Sequence, residues 1–98
     1  MSEFARVSAV EHLHARTLRI TFSDGLVREL DFAGRLPGVL ASIDSDLVFA
    51  QAAVDSLAGT VSWPNGIDLD PDVLHGEQAA NPAVQPQVVL EYWLQQTA

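Results

Sequence analysis

The chain has 98 residues and a formal net charge of -8, with 48% hydrophobic residues, 18% charged residues and no cysteine. This length and apolar content are typical of one folded domain and exclude a disordered chain. The missing cysteine excludes disulfides, thiolate metal sites and cysteine nucleophiles.

The charges are unevenly placed along the chain. All five positive side chains are arginines at or before Arg35, and beyond that residue only His75 can become positive. An acidic chain is repelled by phosphate backbones and anionic membranes, so we expect no direct nucleic-acid or membrane contact and instead a basic protein partner. No apolar run approaches the roughly 18 residues of a membrane span, and residues 1–4 do not resemble a signal peptide. We therefore expect a cytoplasmic protein.

The first elements are predicted to be three antiparallel strands. Residues Ala5–His14 mix apolar and polar positions as a first strand would. Apolar and polar residues alternate in Thr17–Phe22, which is the period of a half-buried strand, and Leu26–Phe32 continues after a Ser-Asp-Gly segment.

Two registers are compatible with the second and third strands. A two-residue Asp-Gly turn gives one, and a three-residue Ser-Asp-Gly loop gives the other. The three-residue loop pairs Leu18 with Leu30 and Arg19 with Glu29, and cross-strand energies of about 0.2–1 kcal/mol per pair favour it. In this register Arg28 falls on the apolar face of the strand.

Short helices are predicted in the middle of the chain. A helix that begins near Pro37 is indicated by four apolar residues at helical spacing: Leu36, Val39, Leu40 and Ile43. The acids of Asp44–Asp46 are expected to cap a second helix, which runs through Phe49 and Ala52.

A second hairpin and a helical turn are predicted next. Residues Ala53–Leu57 and Thr60–Trp63 are expected to pair, and a Pro-Asn-Gly turn follows them. Asp70 then has the position of an N-cap, Pro71–His75 forms one helical turn, and Gly76 ends it.

The predicted division of the chain is a domain at 1–78, a linker at 79–85 and a C-terminal helix at 86–98. This helix would be apolar around most of its circumference, whereas a helix packed on one face needs only a stripe. Contact with a second copy or another protein would explain the excess, and so would a deep groove between the two hairpins. The predicted interface residues are Val89, Tyr92 and Trp93.

Two candidate sites lie between the end of the second hairpin, at Trp63, and the linker. Asp68, Asp70 and Asp72 have the D-x-D-x-D spacing with which a calcium loop begins. Val73 and Ala79, however, occupy the positions where an EF-hand needs glycine and glutamate. Helix capping therefore explains the three acids better. His12, His14 and His75 do not change this, and we expect neither a metal nor another cofactor. Trp63 beside a rigid turn can be an interface anchor, but burial in the core explains it better.

The closing segment at 61–75, V-S-W-P-N-G-I-D-L-D-P-D-V-L-H, resembles the bacterial domain of unknown function 2442 family. The earlier F-S-D-G at Phe22–Gly25, the L-D-F at Leu30–Phe32 and Phe49 match the same pattern, over about residues 5–77. The resemblance implies a small α+β domain without an established activity. It also implies an antitoxin-like place beside another small co-encoded protein. Longer members add a helix-turn-helix segment, for which one C-terminal helix is too short.

The predicted fold is α+β: a three-stranded antiparallel meander, short helices, a second hairpin and a C-terminal helix. The sequence contains no recognisable catalytic centre. The favoured function is a small acidic protein-interaction module, antitoxin-like towards a small co-encoded protein, with a homodimer through the C-terminal helix as a further expectation. The alternative is a small-molecule-binding or enzymatic domain. The predicted binding residues are Trp63, Asn65, Asp68, Asp70, Asp72 and His75.

Overall fold

A computed structural model describes residues 5–78 and 81–94 of the chain. It contains a four-stranded antiparallel sheet in the order β1-β2-β3-β6 and a two-stranded sheet of β4 and β5. The strands are β1 (Val7–His14), β2 (Thr17–Phe22), β3 (Leu26–Asp31), β4 (Ala53–Asp55), β5 (Thr60–Ser62) and β6 (Gln87–Trp93). The helices are α1 (Asp46–Phe49), α2 (Pro71–His75) and a 3-10 helix at Gly38–Ile43. The α+β class is confirmed.

The hairpin of β2 and β3 has the predicted register. Leu18 lies opposite Leu30 and Arg19 lies opposite Glu29, and Arg19 Nε is 3.1 Å from Glu29 Oε2. The loop closes through a 3.0 Å hydrogen bond from Gly25 N–H to Phe22 O. Gly25 has a φ of 95°, a conformation that costs glycine little and other residues more.

The core lies between one face of the large sheet and the elements that follow β3. Alternate residues of β2 point into it, as expected for a strand with one buried face. Aromatic rings fill the centre, where the Phe49 ring lies 5.9 Å from the ring of Phe32 and 5.6 Å from that of Trp63. The residues with no measurable exposure are Leu18, Ile20, Leu30, Ile43, Phe49 and Val61.

The two central helices are shorter than predicted. The first is the 3-10 helix, in which only Ile43 is buried and Val39 is 78% exposed. The second, α1, has four residues, and its N-cap is Ser45, whose side chain accepts a hydrogen bond from Val48 N–H. Each helix places one buried apolar residue in the core, Ile43 in the 3-10 helix and Phe49 in α1.

The predicted C-terminal helix is wrong, because its central residues form strand β6. This strand pairs antiparallel with β3, with Trp93 opposite Leu26 and Tyr92 opposite Val27. A run that is apolar on nearly all sides has no periodicity to separate a helix from a strand with two apolar faces. Valine, tyrosine and tryptophan favour strands, and the open edge of β3 supplies the hydrogen bonds. The three-stranded meander is therefore a four-stranded sheet.

The segment before β6 is held against the domain. Arg35 Nη1 donates a 2.7 Å hydrogen bond to Pro82 O, and a turn is closed by Val84 N–H and Asn81 O. Residues 79–80 of the predicted linker and 95–98 of the predicted helix lie outside the described residues. None of the helices in the described ranges has the length and apolar character that crossing a membrane requires.

Candidate functional site

Trp63, the most distinctive residue of the closing segment, belongs to the core. It is 3% exposed, and its indole Nε1–H donates a 3.1 Å hydrogen bond to Phe49 O. A buried indole needs such a partner for its N–H. The ring therefore joins β5 to α1 and offers no surface to a ligand.

Asn65 organises the turn that follows Trp63. Its Oδ1 accepts a hydrogen bond from Ile67 N–H at 3.2 Å, and its Nδ2 donates to Ser42 Oγ at 3.1 Å. The first contact is an Asx turn, and the second ties the turn to the 3-10 helix. Gly66 has a φ of 93°, so the Asn-Gly pair meets the backbone requirement of this turn.

Helix α2 begins and ends as its sequence predicts. Asp70 is the N-cap and accepts a 2.9 Å hydrogen bond from Asp72 N–H. Pro71 occupies the first turn, and Gly76 is the C-cap in the left-handed conformation. Helix capping therefore explains Asp70. Asp68 precedes the helix, is exposed, and forms an isolated β-bridge with Ser62.

A small apolar pocket lies beside this segment. Its volume is about 180 Å³. Asp68 and Asp70 also line it, and both residues are exposed. The apolar lining residues are Phe32, Leu40, Leu69, Val73, Leu74, Val84 and Pro86. The pocket thus combines an apolar interior with two carboxylates that reach solvent.

His75 is directed away from this pocket into a contact with the loop between β2 and β3. Its Nε2 lies 2.7 Å from Asp24 Oδ2, and its Nδ1 lies 3.1 Å from Glu77 Oε2. The imidazole packs edge-on against Phe22, with ring centroids 4.8 Å apart. Asp24 is 51 residues from His75 in the sequence, so no spacing pattern could have indicated this pair.

The pKa of Asp24 responds to two opposing effects. Its partial burial raises the pKa, but the hydrogen bonds from Leu26 N–H and from His75 outweigh burial, and the net pKa is lowered. The carboxylate is therefore held in its charged form by its folded environment.

The other two histidines do not join His75. His12 lies on the core side of β1, where its ring centroid is 6.0 Å from that of Phe49, and its Nε2 is 3.0 Å from Ala15 O. A register shift separates His12 from His14 along β1. Within 5–78 and 81–94, no group of three or more histidine, aspartate or glutamate residues is arranged to hold a metal ion.

The arginines are engaged by the fold. Two lie in salt bridges: Arg16 with Asp44 and Asp46, and Arg19 with Glu11 and Glu29. Two donate to backbone carbonyls: Arg6 to those of Ser56 and Leu57, and Arg35 to that of Pro82. None of the ion pairs found within the described ranges involves Asp68, Asp70 or Asp72. The negative charge beside the pocket is therefore not neutralised by a neighbouring arginine.

The fifth arginine, Arg28, links three elements. Its Nη1 donates a 2.6 Å hydrogen bond to Leu74 O of α2, and its Nε lies 2.8 Å from Glu91 Oε1 of β6. The Nε–H is not aligned with that oxygen as a hydrogen bond requires, so the contact with Glu91 is mainly ionic.

The three predicted interface residues lie on β6 and are exposed. Val89 is 57% exposed, Tyr92 41% and Trp93 58%. Tyr92 and Trp93 point to opposite faces of the sheet, because successive residues of a strand alternate. Trp93 is on the side of His75, and their ring centroids are 6.5 Å apart.

Comparison with known families covers the first part of the chain. The model of the family described as "Protein of unknown function (DUF2442)" matches residues 7–78. The chain belongs to the DUF2442 family. The match includes every element from β1 to α2 and ends before β6. No curated protein and no solved structure gives a significant match. Membership of the DUF2442 family therefore assigns no activity to the chain, and the function has to be inferred from the site.

Proposed function

We propose that this DUF2442 protein is a protein-interaction module that binds a basic partner at the pocket beside Asp68 and Asp70. The observation that carries the proposal is the apolar pocket with two exposed carboxylates at its border. An apolar side chain of the partner would enter the pocket, and neighbouring lysine or arginine side chains would approach the carboxylates. Anchors of this kind, an apolar group in a pocket with charges at its border, are typical of protein interfaces.

The size of the pocket supports a side chain as its occupant. Sites for small molecules usually have volumes of about 300–1,000 Å³, whereas this pocket has about 180 Å³. The alternative of a small-molecule or enzymatic site in the closing segment has less support. It needs Trp63 or His75 beside the acids, and neither residue lines the pocket.

The charge of the whole chain supports a basic partner. The net charge is -8, and the arginines form contacts within the fold. A field of one sign raises the rate at which an oppositely charged protein binds, and salt weakens this effect. An antitoxin-like role towards a small co-encoded protein, which the family resemblance implies, is the form of this proposal that we favour. The net charge adds the expectation that this protein is basic.

The test is capture of a partner from a lysate of the native host with three versions of the tagged chain. The parent is compared with an Asp68→Asn/Asp70→Asn variant, whose asparagine at position 70 keeps an oxygen for Asp72 N–H, and with an Asp31→Asn/Asp55→Asn control. Both variants lose two negative charges. The control keeps the side-chain oxygens that accept backbone hydrogen bonds at Ala33 and at Leu57.

We expect the parent and the control to retain one stoichiometric basic protein, and the Asp68/Asp70 variant to lose most of it. Capture should also weaken as the salt concentration rises. Equal capture by all three versions, or capture of nothing, would refute the proposal.

A further inference from the structure

Strand β6 leaves one edge of the large sheet open. All seven of its residues are exposed. The opposite edge of the sheet, formed by β1, is approached by the β4–β5 hairpin, and Val7 N–H donates a 3.0 Å hydrogen bond to Gly59 O. Within residues 5–78 and 81–94, no strand pairs with the outer edge of β6.

The backbone of β6 has groups that point to this open edge. Leu94 N–H donates a 2.7 Å hydrogen bond to Gly25 O. In an antiparallel pair, residues alternate between those bonded to the neighbouring strand and those directed away from it. Tyr92 therefore bonds to β3, like Leu94, while the N–H and C=O groups of Glu91 and Trp93 point outwards.

This edge carries little of the usual protection against pairing, because its one inward charge is paired within the fold. Natural edge strands carry lysines, prolines or inward charges that prevent association. The one charged residue of β6 is Glu91, and its carboxylate lies 2.8 Å from the Arg28 guanidinium. The apolar residues with 41–58% exposure are Val88, Val89, Leu90, Tyr92, Trp93 and Leu94. The edge is thus apolar and locally neutral.

We propose that β6 pairs antiparallel with β6 of a second copy of this chain, about a two-fold axis through Tyr92. The outward N–H and C=O groups of Glu91 then form hydrogen bonds with those of Trp93 of the second copy. By symmetry, the same groups of Trp93 bond to Glu91 of the second copy. Leu90 lies opposite Leu94 of the second copy. The two four-stranded sheets join into one of eight strands, and the open edge disappears.

The locally neutral, apolar edge fits an identical edge on a second copy, and the position of Glu91 selects this register. Two copies of β6 bring together apolar surfaces whose one carboxylate on each side is already paired with Arg28. A two-fold axis through Glu91 would place two carboxylates directly opposite each other, which destabilises a strand pair. The axis through Tyr92 avoids that contact.

The pairing is centred on Tyr92, six residues along the chain from the pocket residue Pro86, and the response to salt distinguishes this proposal from the one at the pocket. Two copies that each carry a charge of -8 repel each other at long range, so added salt should strengthen the dimer. Binding of a basic partner should weaken under the same change. Failure of one proposal therefore leaves the other intact.

The first test is the mass of the purified full chain in solution, measured by sedimentation equilibrium over a range of concentrations. We expect a reversible dimer of twice the 10.6 kDa chain mass. Tyr92→Lys places two ammonium groups opposite each other at the axis and should weaken the dimer at least about tenfold. Leu57→Lys, at a residue that is 94% exposed, is the control. A monomer at every concentration, or a dimer that tolerates Tyr92→Lys, would overturn the proposal.

The second test uses the absence of cysteine from the chain. Opposite Cα atoms in the non-hydrogen-bonded position are about 4.5 Å apart, within the range of a disulfide. A Tyr92→Cys variant should therefore form a disulfide-linked dimer rapidly under mild oxidation, and a Leu57→Cys variant should not. Circular dichroism of each variant checks that it is folded. Equal cross-linking at both positions would contradict the register.

Discussion

At the scale of single residues, Arg28 occupies the least expected position, on the apolar face of β3. Its register partner is Ile20, and it is only 8% exposed. The fold accepts the guanidinium there because the Leu74 carbonyl and the Glu91 carboxylate both reach it. A buried charge is tolerated when it is paired and hydrogen-bonded.

We expect Arg28→Ala to lower the free energy of unfolding by about 2–3 kcal/mol, because Leu74 O loses a buried partner and a gap remains. Arg28→Met fills the gap and should cost less. Arg19→Met is the control, since the Arg19 side chain is 38% exposed and each of its two ion pairs contributes at most about 1 kcal/mol. Urea unfolding at neutral pH measures all three variants. A smaller loss for Arg28→Ala than for Arg19→Met would contradict the role given to Arg28.

At the scale of elements, α2 is joined to the β2–β3 loop by His75 and Asp24. The pKa of Asp24 is lowered in the folded state, so its contribution to stability is fully present above the unfolded pKa of about 3.9. That contribution is lost as the pH falls through the lower folded pKa. The Asp24 side chain is 37% exposed, and solvent screening keeps the effect below about 1 kcal/mol.

Asp24→Asn should therefore destabilise the protein at pH 6, and the difference from the parent should shrink as the pH falls below about 4. Asparagine keeps an oxygen for Leu26 N–H, so the change acts mainly on the contact with His75. Urea unfolding across this pH range gives the difference in the free energy of unfolding. A double-mutant cycle with His75→Gln isolates the interaction energy of Asp24 and His75. A difference that stays constant down to pH 2.5, or that is undiminished in the His75→Gln background, would show that the contact does not act in this way.

Elements fixed by neighbouring residues could be predicted from the sequence. The β2–β3 register followed from alternation and from the Ser-Asp-Gly loop, and α2 followed from Asp70, Pro71 and Gly76. Strand β6 could not, because its run is apolar on both faces and pairing with β3, far away in the sequence, decides its conformation. The pocket could not be predicted from the sequence either, since Phe32, Leu40 and Val84 come next to the closing segment only in the folded chain.

At the scale of the whole molecule, the fold separates an acidic, pocketed surface from an apolar strand edge. Asp68 and Asp70 line the pocket on one side of α2, while His75 points towards Asp24 and the ring of Trp93. Arginines are held in contacts within the fold and leave the acids at the pocket unpaired. A dimer through β6 would carry two such pockets, one on each copy, and would present the partner with two binding sites.

The most direct test of the proposed function locates the partner on this surface. Amide resonances of the isotope-labelled chain are followed by NMR while the protein captured from the host lysate is added. We predict that the largest shifts fall on Asp68–Asp70, on Asp72–Leu74 and on the lining residues Leu40 and Val84, and that salt reverses them. Shifts confined to β6, or to the Ala9–Glu11 side of the sheet, with the pocket resonances unchanged, would contradict the assignment of the pocket as the binding site.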